Sequence, residues 1–129
     1  MKTVRQISKE EENFMAENYF ELVGRIGWLD YKSTEKGFIT KICLGVKKNK
    51  EEYHNFFITF LNAIASKDPV AENLSDTHRV GDYIRVKGIL NIDRFTPKNS
   101  DKEIENISLI GKSFNAVKFD SFEKRFVDV

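Results

Sequence analysis

Eleven phenylalanines, four tyrosines and one tryptophan are spread through a chain of 129 residues, and several rings stand beside a cation: Phe38 before Lys41, Phe95 after Arg94, Phe114 after Lys112. That pairing has a chemistry. A flat ring can take any unpaired base on its face at roughly 1–3 kcal/mol per base, while a nearby lysine or arginine follows the phosphates. Phe is also among the most buried residue types, so most such rings belong to a core. Only rings that alternate with the core set along a strand are candidates for stacking. The densest such run is Tyr53-His-Asn-Phe-Phe57, a few residues after Lys41, Lys47 and Lys48.

Other chemistries have less to stand on. Cys43 is the only cysteine, which excludes an internal disulfide and leaves no metal-ligand spacing. With no acid–base partner in its segment it is not a credible nucleophile. His54 is expected to be buried or at a subunit interface, and His78 to lie in a loop. The carboxylates are scattered, with no pair beside an arginine cluster, so neither an enzyme nor a bound cofactor or metal is expected. The formal net charge of +1 gives no global field favouring nucleic acid or a membrane surface, so any electrostatic argument must be local. No run approaches the roughly 20 apolar residues that span a bilayer. A cytoplasmic protein is expected.

The elements that must position these residues follow from periodicity. Ser8 and Glu11 have capping-box spacing, which predicts a short N-terminal helix from Lys9 to about Asn18. From Tyr19 to Leu29 the pattern has period two, with Phe20, Leu22, Gly24, Ile26 and Trp28 on one side. Gly24 and Gly27 are costly inside that strand unless they allow a bulge or sharp coiling. Trp28 falls on the core side and Tyr31 in the loop that follows. After a turn at Glu35-Lys36-Gly37, a second strand covers Phe38 to Lys48. A polar hairpin loop then leads to a third strand, Tyr53 to Leu61. Asp68-Pro69 reads as an N-cap with proline at the first helical position, predicting a short helix from Pro69 to about Asp76. Gly81 opens a fourth strand, Thr96 to Lys102 is a loop, and Ile104 to Phe114 is a fifth strand.

Three strands, a helix and two more strands is the order of a five-stranded OB-fold barrel, so the expected class is all-β with short helices, one at the N-terminus and one between strands 3 and 4. Residues 1–17 are then a helical extension, 18–114 the barrel, and 115–129 a short C-terminal extension. Phe119, Phe122 and Phe126 are spaced in that extension for docking on the domain.

On the third strand, Tyr53, Asn55, Phe57 and Thr59 point outward if His54, Phe56, Ile58 and Phe60 point in. The outward set of the second strand is Lys41, Cys43, Gly45 and Lys47. This predicts a patch with rings at Tyr53 and Phe57, cations at Lys41 and Lys47, and a small-residue floor at Cys43 and Gly45. Lys48 extends it along the hairpin, Arg85, Lys87, Arg94 and Phe95 add a second wall, and Tyr31 is a loop candidate.

Several stretches resemble the bacterial single-stranded DNA-binding protein family. Asn18-Tyr-Phe-Glu-Leu-Val-Gly-Arg-Ile-Gly27 is similar to its first-strand signature, and Lys41-Ile-Cys-Leu-Gly-Val46 to its second strand. Glu52-Tyr-His-Asn-Phe-Phe57 resembles the third-strand motif in which an aromatic precedes His. Val80-Gly-Asp-Tyr-Ile-Arg-Val-Lys-Gly-Ile-Leu90 resembles the fourth strand, with Arg94-Phe95-Thr96 beyond it. The resemblance implies an OB fold, homo-oligomers, and binding of single-stranded DNA without sequence preference in replication, recombination or transfer, with Tyr53 and Phe95 in the family's stacking positions. The family's usual tryptophans are replaced there. The N-terminal helix is unusual for the family, and its acidic C-terminal tail has no counterpart, so recruitment of other proteins through such a tail is not expected. In these departures the chain resembles the divergent members carried by phages or plasmids. Residues after Phe119 are expected to serve fold or assembly rather than binding. The alternative function is an OB-fold protein-interaction module of a replication or primosome complex, because aromatic and arginine residues serve protein interfaces equally well.

Overall fold

In a computed structural model, which describes residues 18–129, six strands and one helix follow one another. They are β1 (Phe20–Ser33), β2 (Gly37–Lys47), β3 (Tyr53–Ala63), α1 (Val70–Thr77), β4 (Tyr83–Phe95), β5 (Ile104–Asp120) and β6 (Arg125–Asp128). The N-terminal helix expected over Lys9–Asn18 lies outside the described residues except at its last position. Neighbouring strands are ordered β3-β2-β1-β4-β5-β6, and β3 also pairs with β5, in parallel, at Ile58–Leu109, Thr59–Ile110 and Phe60–Gly111. All other pairings are antiparallel. This mostly antiparallel sheet with one short helix is consistent with the OB fold.

Alternation sets the core. Ile42 and Leu44 of β2, Ile58 and Phe60 of β3, Ile84 and Val86 of β4 and Ile26 of β1 are fully buried, and Val70, Ala71 and Leu74 bring the apolar side of α1 onto them. Thr40 is the buried polar member of this core, and its hydroxyl donates to the Ala71 carbonyl at 2.6 Å, tying β2 to the helix. The helix starts one residue later than expected. Pro69, not Asp68, is the capping residue, and it has no cap hydrogen bond of its own. Asn62 at the end of β3 does that job instead: its Oδ1 accepts from the backbone N–H groups of Ala71 (2.8 Å) and Glu72 (3.3 Å). A helix end must find such acceptors somewhere.

Several strands outrun their expected limits. The first continues to Ser33, and the fifth continues six residues past Phe114 and pairs with the unforeseen β6, so the segment after Phe114 contains strand at 115–120 and 125–128. In β1 the register slips between Ile26 and Trp28, where Gly27 is the extra residue of a bulge. Inward positions before it are Gly24 and Ile26, but after it the inward residue is Leu29, paired with Ile42. Trp28 therefore turns outward and is 45% exposed, against the core position expected for it.

Candidate nucleic-acid interface

Pairing of β1, β2 and β3 sets outward side chains in cross-strand rows. Trp28, Cys43 and Phe57 form one row, Arg25, Gly45 and Asn55 the next, and Lys47 faces Tyr53 at the end. Asp30, Lys41 and Thr59 form the row on the other side, and Tyr83 of β4 lies opposite Arg25. Direct neighbours across strands stand about 4.5–5.5 Å apart at Cβ, so these rows are contiguous surface. Tyr53 is 57% and Phe57 69% exposed, while Phe56, between them in sequence, is half-buried. Large rings held in water beside cations serve no core. Arg25, Lys41 and Lys47 pair with no carboxylate among the described residues.

Two adjoining grooves cross this face. One, of about 490 Å³, is lined by Val23, Gly24, Gly45, Lys47, Tyr53, Tyr83, Phe119 and Phe126. The other, of about 480 Å³, is lined by Arg25, Gly27, Gly45, Tyr53, Asn55 and Tyr83. Gly45, Tyr53 and Tyr83 are common to both, so the two grooves adjoin at these residues.

Of the residues singled out in the sequence, Lys41, Lys47, Tyr53, Asn55 and Phe57 come together on this face. The others do not. Lys48 is in the hairpin loop and pairs with Glu52 at 3.3 Å. Arg85 is enclosed by Glu21 (3.3 Å) and Asp128 (3.1 Å), and Lys87 reaches Glu21 at 3.6 Å, so both are at least partly neutralised at home. Arg94 pairs with Glu105 at 3.1 Å, and Phe95, half exposed, pairs with Ile104 near the end of the β4–β5 ribbon. Tyr83 and Phe95 stand at opposite ends of the 13-residue β4, roughly 40 Å apart if straight, and neither Arg94 nor Phe95 lines the grooves.

Tyr31 is in β1, not a loop. It pairs with the buried Thr40, which puts it on the helix side of the sheet, and its ring stacks on Phe38 at 6.0 Å. Its phenol titrates above the ordinary value, first through desolvation and then through the carboxylates of Glu72 and Asp76. That is a poor place for a phosphate. His54 is exposed beside Phe56, not buried, and His78 caps the end of α1 with its ring edge-on to Phe114.

Sequence reasoning missed Arg25, Trp28, Tyr83, Phe119 and Phe126. Trp28 was hidden by the Gly27 bulge, for which the glycine was the available signal. Tyr83 has the outward parity of its strand but no neighbouring motif. The two phenylalanines come into the groove because β5 and β6 form a hairpin that docks on this face, with Phe126 stacked on Tyr83 at 5.4 Å.

Among the described residues no cluster of histidine, cysteine or carboxylate side chains could hold a metal, and no helix is long and apolar enough to cross a membrane. No protein-family model matches the chain, and no curated protein matches it. Solved structures do. A crystal structure of the mitochondrial single-stranded DNA-binding protein Rim1 from S. cerevisiae (form 2) is 20% identical, with a TM-score of 0.62 over 81% of this chain and 98% of that one. Its selenomethionine-labelled counterpart is 19% identical, with a TM-score of 0.60 over the same shares. At that identity the likeness is one of architecture: over about four-fifths of its length the chain has the fold of those proteins.

Proposed function

We propose that this protein binds single-stranded DNA with little sequence preference, through the outward face of β1, β2 and β3. The observation that carries the reading is the coincidence, on one face, of exposed rings at Trp28, Tyr53 and Phe57 with cations at Arg25, Lys41 and Lys47 that pair with no carboxylate among the described residues. Stacking platforms interleaved with cations are what sequence-tolerant binding needs, since every base has a face and every nucleotide a phosphate. Little on this face could read base edges; Asn55 is its main amide. Single-stranded DNA is the partner of the structurally similar yeast mitochondrial proteins, which supports the choice of ligand.

The face binds and does not catalyse, and a role in DNA replication, recombination or transfer, with assembly into homo-oligomers, belongs to the same proposal. Anisotropy titrations with a mixed-sequence single strand, its duplex and the matching RNA test it. Tighter binding of the DNA single strand than of the duplex is expected. Equal affinity for the duplex refutes the stacking account, and tighter binding of the RNA refutes the choice of ligand.

A further inference from the structure

Beyond Ala116, which still pairs with Ile84, β5 runs past the start of β4 and returns as β6. The turn is locally determined: Asp120 Oδ1 accepts from the N–H groups of Phe122 (2.9 Å) and Glu123 (3.1 Å), and Lys124 adopts a left-handed φ of 57°. Side chains hold this hairpin on the outward face. Phe126 stacks on Tyr83 at 5.4 Å, Phe119 meets Phe126 edge-on at 5.5 Å, and Asp128 accepts from Arg85 Nε at 3.1 Å and from Asn115 Nδ2 at 2.9 Å. So docked, Phe119 and Phe126 help wall the groove of about 490 Å³ that Tyr53, Gly45 and Lys47 also line. Phe119 remains 57% exposed.

The glycines beneath the groove differ in kind. A Cβ on Gly24 would collide with the Gly45 carbonyl, so packing alone excludes a side chain there. A Cβ on Gly45 would meet only the Arg25 carbonyl and Asn55 Oδ1 at 3.7 Å and the Tyr53 ring at 3.9 Å, ordinary contact distances. The fold therefore does not require glycine at 45. What a side chain there would do is occupy the groove.

We propose that this groove is a clamp for one nucleobase of a bound single strand, with Phe119 and Tyr53 as ring walls, Gly45 as the floor, and Lys47 placed for the adjoining phosphate. The inference rests on reading the outward face as the nucleic-acid interface, and it makes the C-terminal hairpin part of that interface. Its volume lies within the roughly 300–1,000 Å³ of small-ligand sites. A free nucleotide would need only that groove. Beside it, across Gly45, lies the second groove, where Asn55 offers an amide and Arg25 another cation, as a polymer's next nucleotide requires.

Titrating fluorescein-labelled oligo(dT) into wild type, Gly45→Val, Phe119→Ala and Phe122→Ala, with thermal melts of each, tests the clamp. Phe122 is 94% exposed on the hairpin turn and lines neither groove, so its variant is the control. Gly45→Val is expected to melt no lower than wild type, since valine favours strands, yet to bind roughly tenfold or more weakly. Phe119→Ala is expected to weaken binding roughly 5- to 150-fold, and Phe122→Ala to leave it unchanged. Should Gly45→Val unfold, Phe119→Ala decides alone. Wild-type affinity in Phe119→Ala overturns the clamp and leaves the outward-face reading intact, and tighter binding also overturns it, because the hairpin would then cover the site instead of building it. A wild type that fails to bind at low salt removes both.

Discussion

Tyr53 and Phe57 project from β3 on the side that carries Lys41 and Lys47, with more than half of each ring in water. A ring so placed contributes little to the core, so Tyr53→Ala and Phe57→Ala should each weaken single-strand binding by about 1–3 kcal/mol while changing stability by well under the ~3–5 kcal/mol lost when a buried Phe is truncated. Thermal melts beside binding titrations separate the two effects, and a large drop in melting temperature with normal affinity would mean a structural ring. Trp28 offers a second readout. As the only tryptophan, half exposed in the row with Cys43 and Phe57, it should show quenched emission when bases stack on that row, and emission unchanged at saturation would place the bound strand elsewhere. The parity of β3 was legible in the sequence because no irregularity interrupts Tyr53 to Phe60. The parity of β1 was not, because Gly27 adds one residue, and one residue turns every later side chain to the other face.

At the scale of elements, α1 depends on a strand for its start. Asn62 satisfies two of its first N–H groups, so Asn62→Ala should cost about 1 kcal/mol, the usual loss for a missing cap, seen as a lower denaturant midpoint. Gly111 is under sharper constraint, since a Cβ there would enter the Phe60 ring that packs in the core, and Gly111→Ala should cost about 1–3 kcal/mol through overpacking. The hairpin of β5 and β6 has a pH dependence with a definite sign. Hydrogen bonds from Asn115, then Arg85, hold the Asp128 carboxyl below its ordinary value. A depressed carboxyl contributes stability that is complete above its unfolded pKa, about 4, and is lost as the pH falls through the folded value. Protection of the β6 amides from exchange, measured relative to the intrinsic rate at each pH, should therefore fall on acidification below about pH 4 in wild type and should lose that dependence in Asp128→Asn. The sequence announced five strands through alternation and turn residues. It did not announce β6, because four residues are too few for period two to show, and their place is set by Tyr83 and Arg85, distant in sequence.

Across the whole molecule, a formal net charge of +1 means that attraction for a polyanion must come from local arrangement. Most of the cations first noticed in the sequence are paired: Lys48 with Glu52, Arg85 with Glu21 and Asp128, Lys87 with Glu21, Arg94 with Glu105. Pairing partners are set by the fold, so no reading of the chain could show which cations are paired among the described residues. Arg25, Lys41 and Lys47 are left on the ring-bearing face. If these three neutralise phosphates, the logarithm of the single-strand affinity should fall against the logarithm of salt concentration with a slope of about −2, from roughly −0.7 per phosphate contact. The most direct measurement is that slope for wild type and for Arg25→Gln/Lys41→Gln/Lys47→Gln, titrated with one oligo(dT) from low to high salt. The account predicts weaker binding and a slope close to zero in the triple variant with its fold intact. A folded triple variant that keeps the wild-type slope and affinity would contradict it.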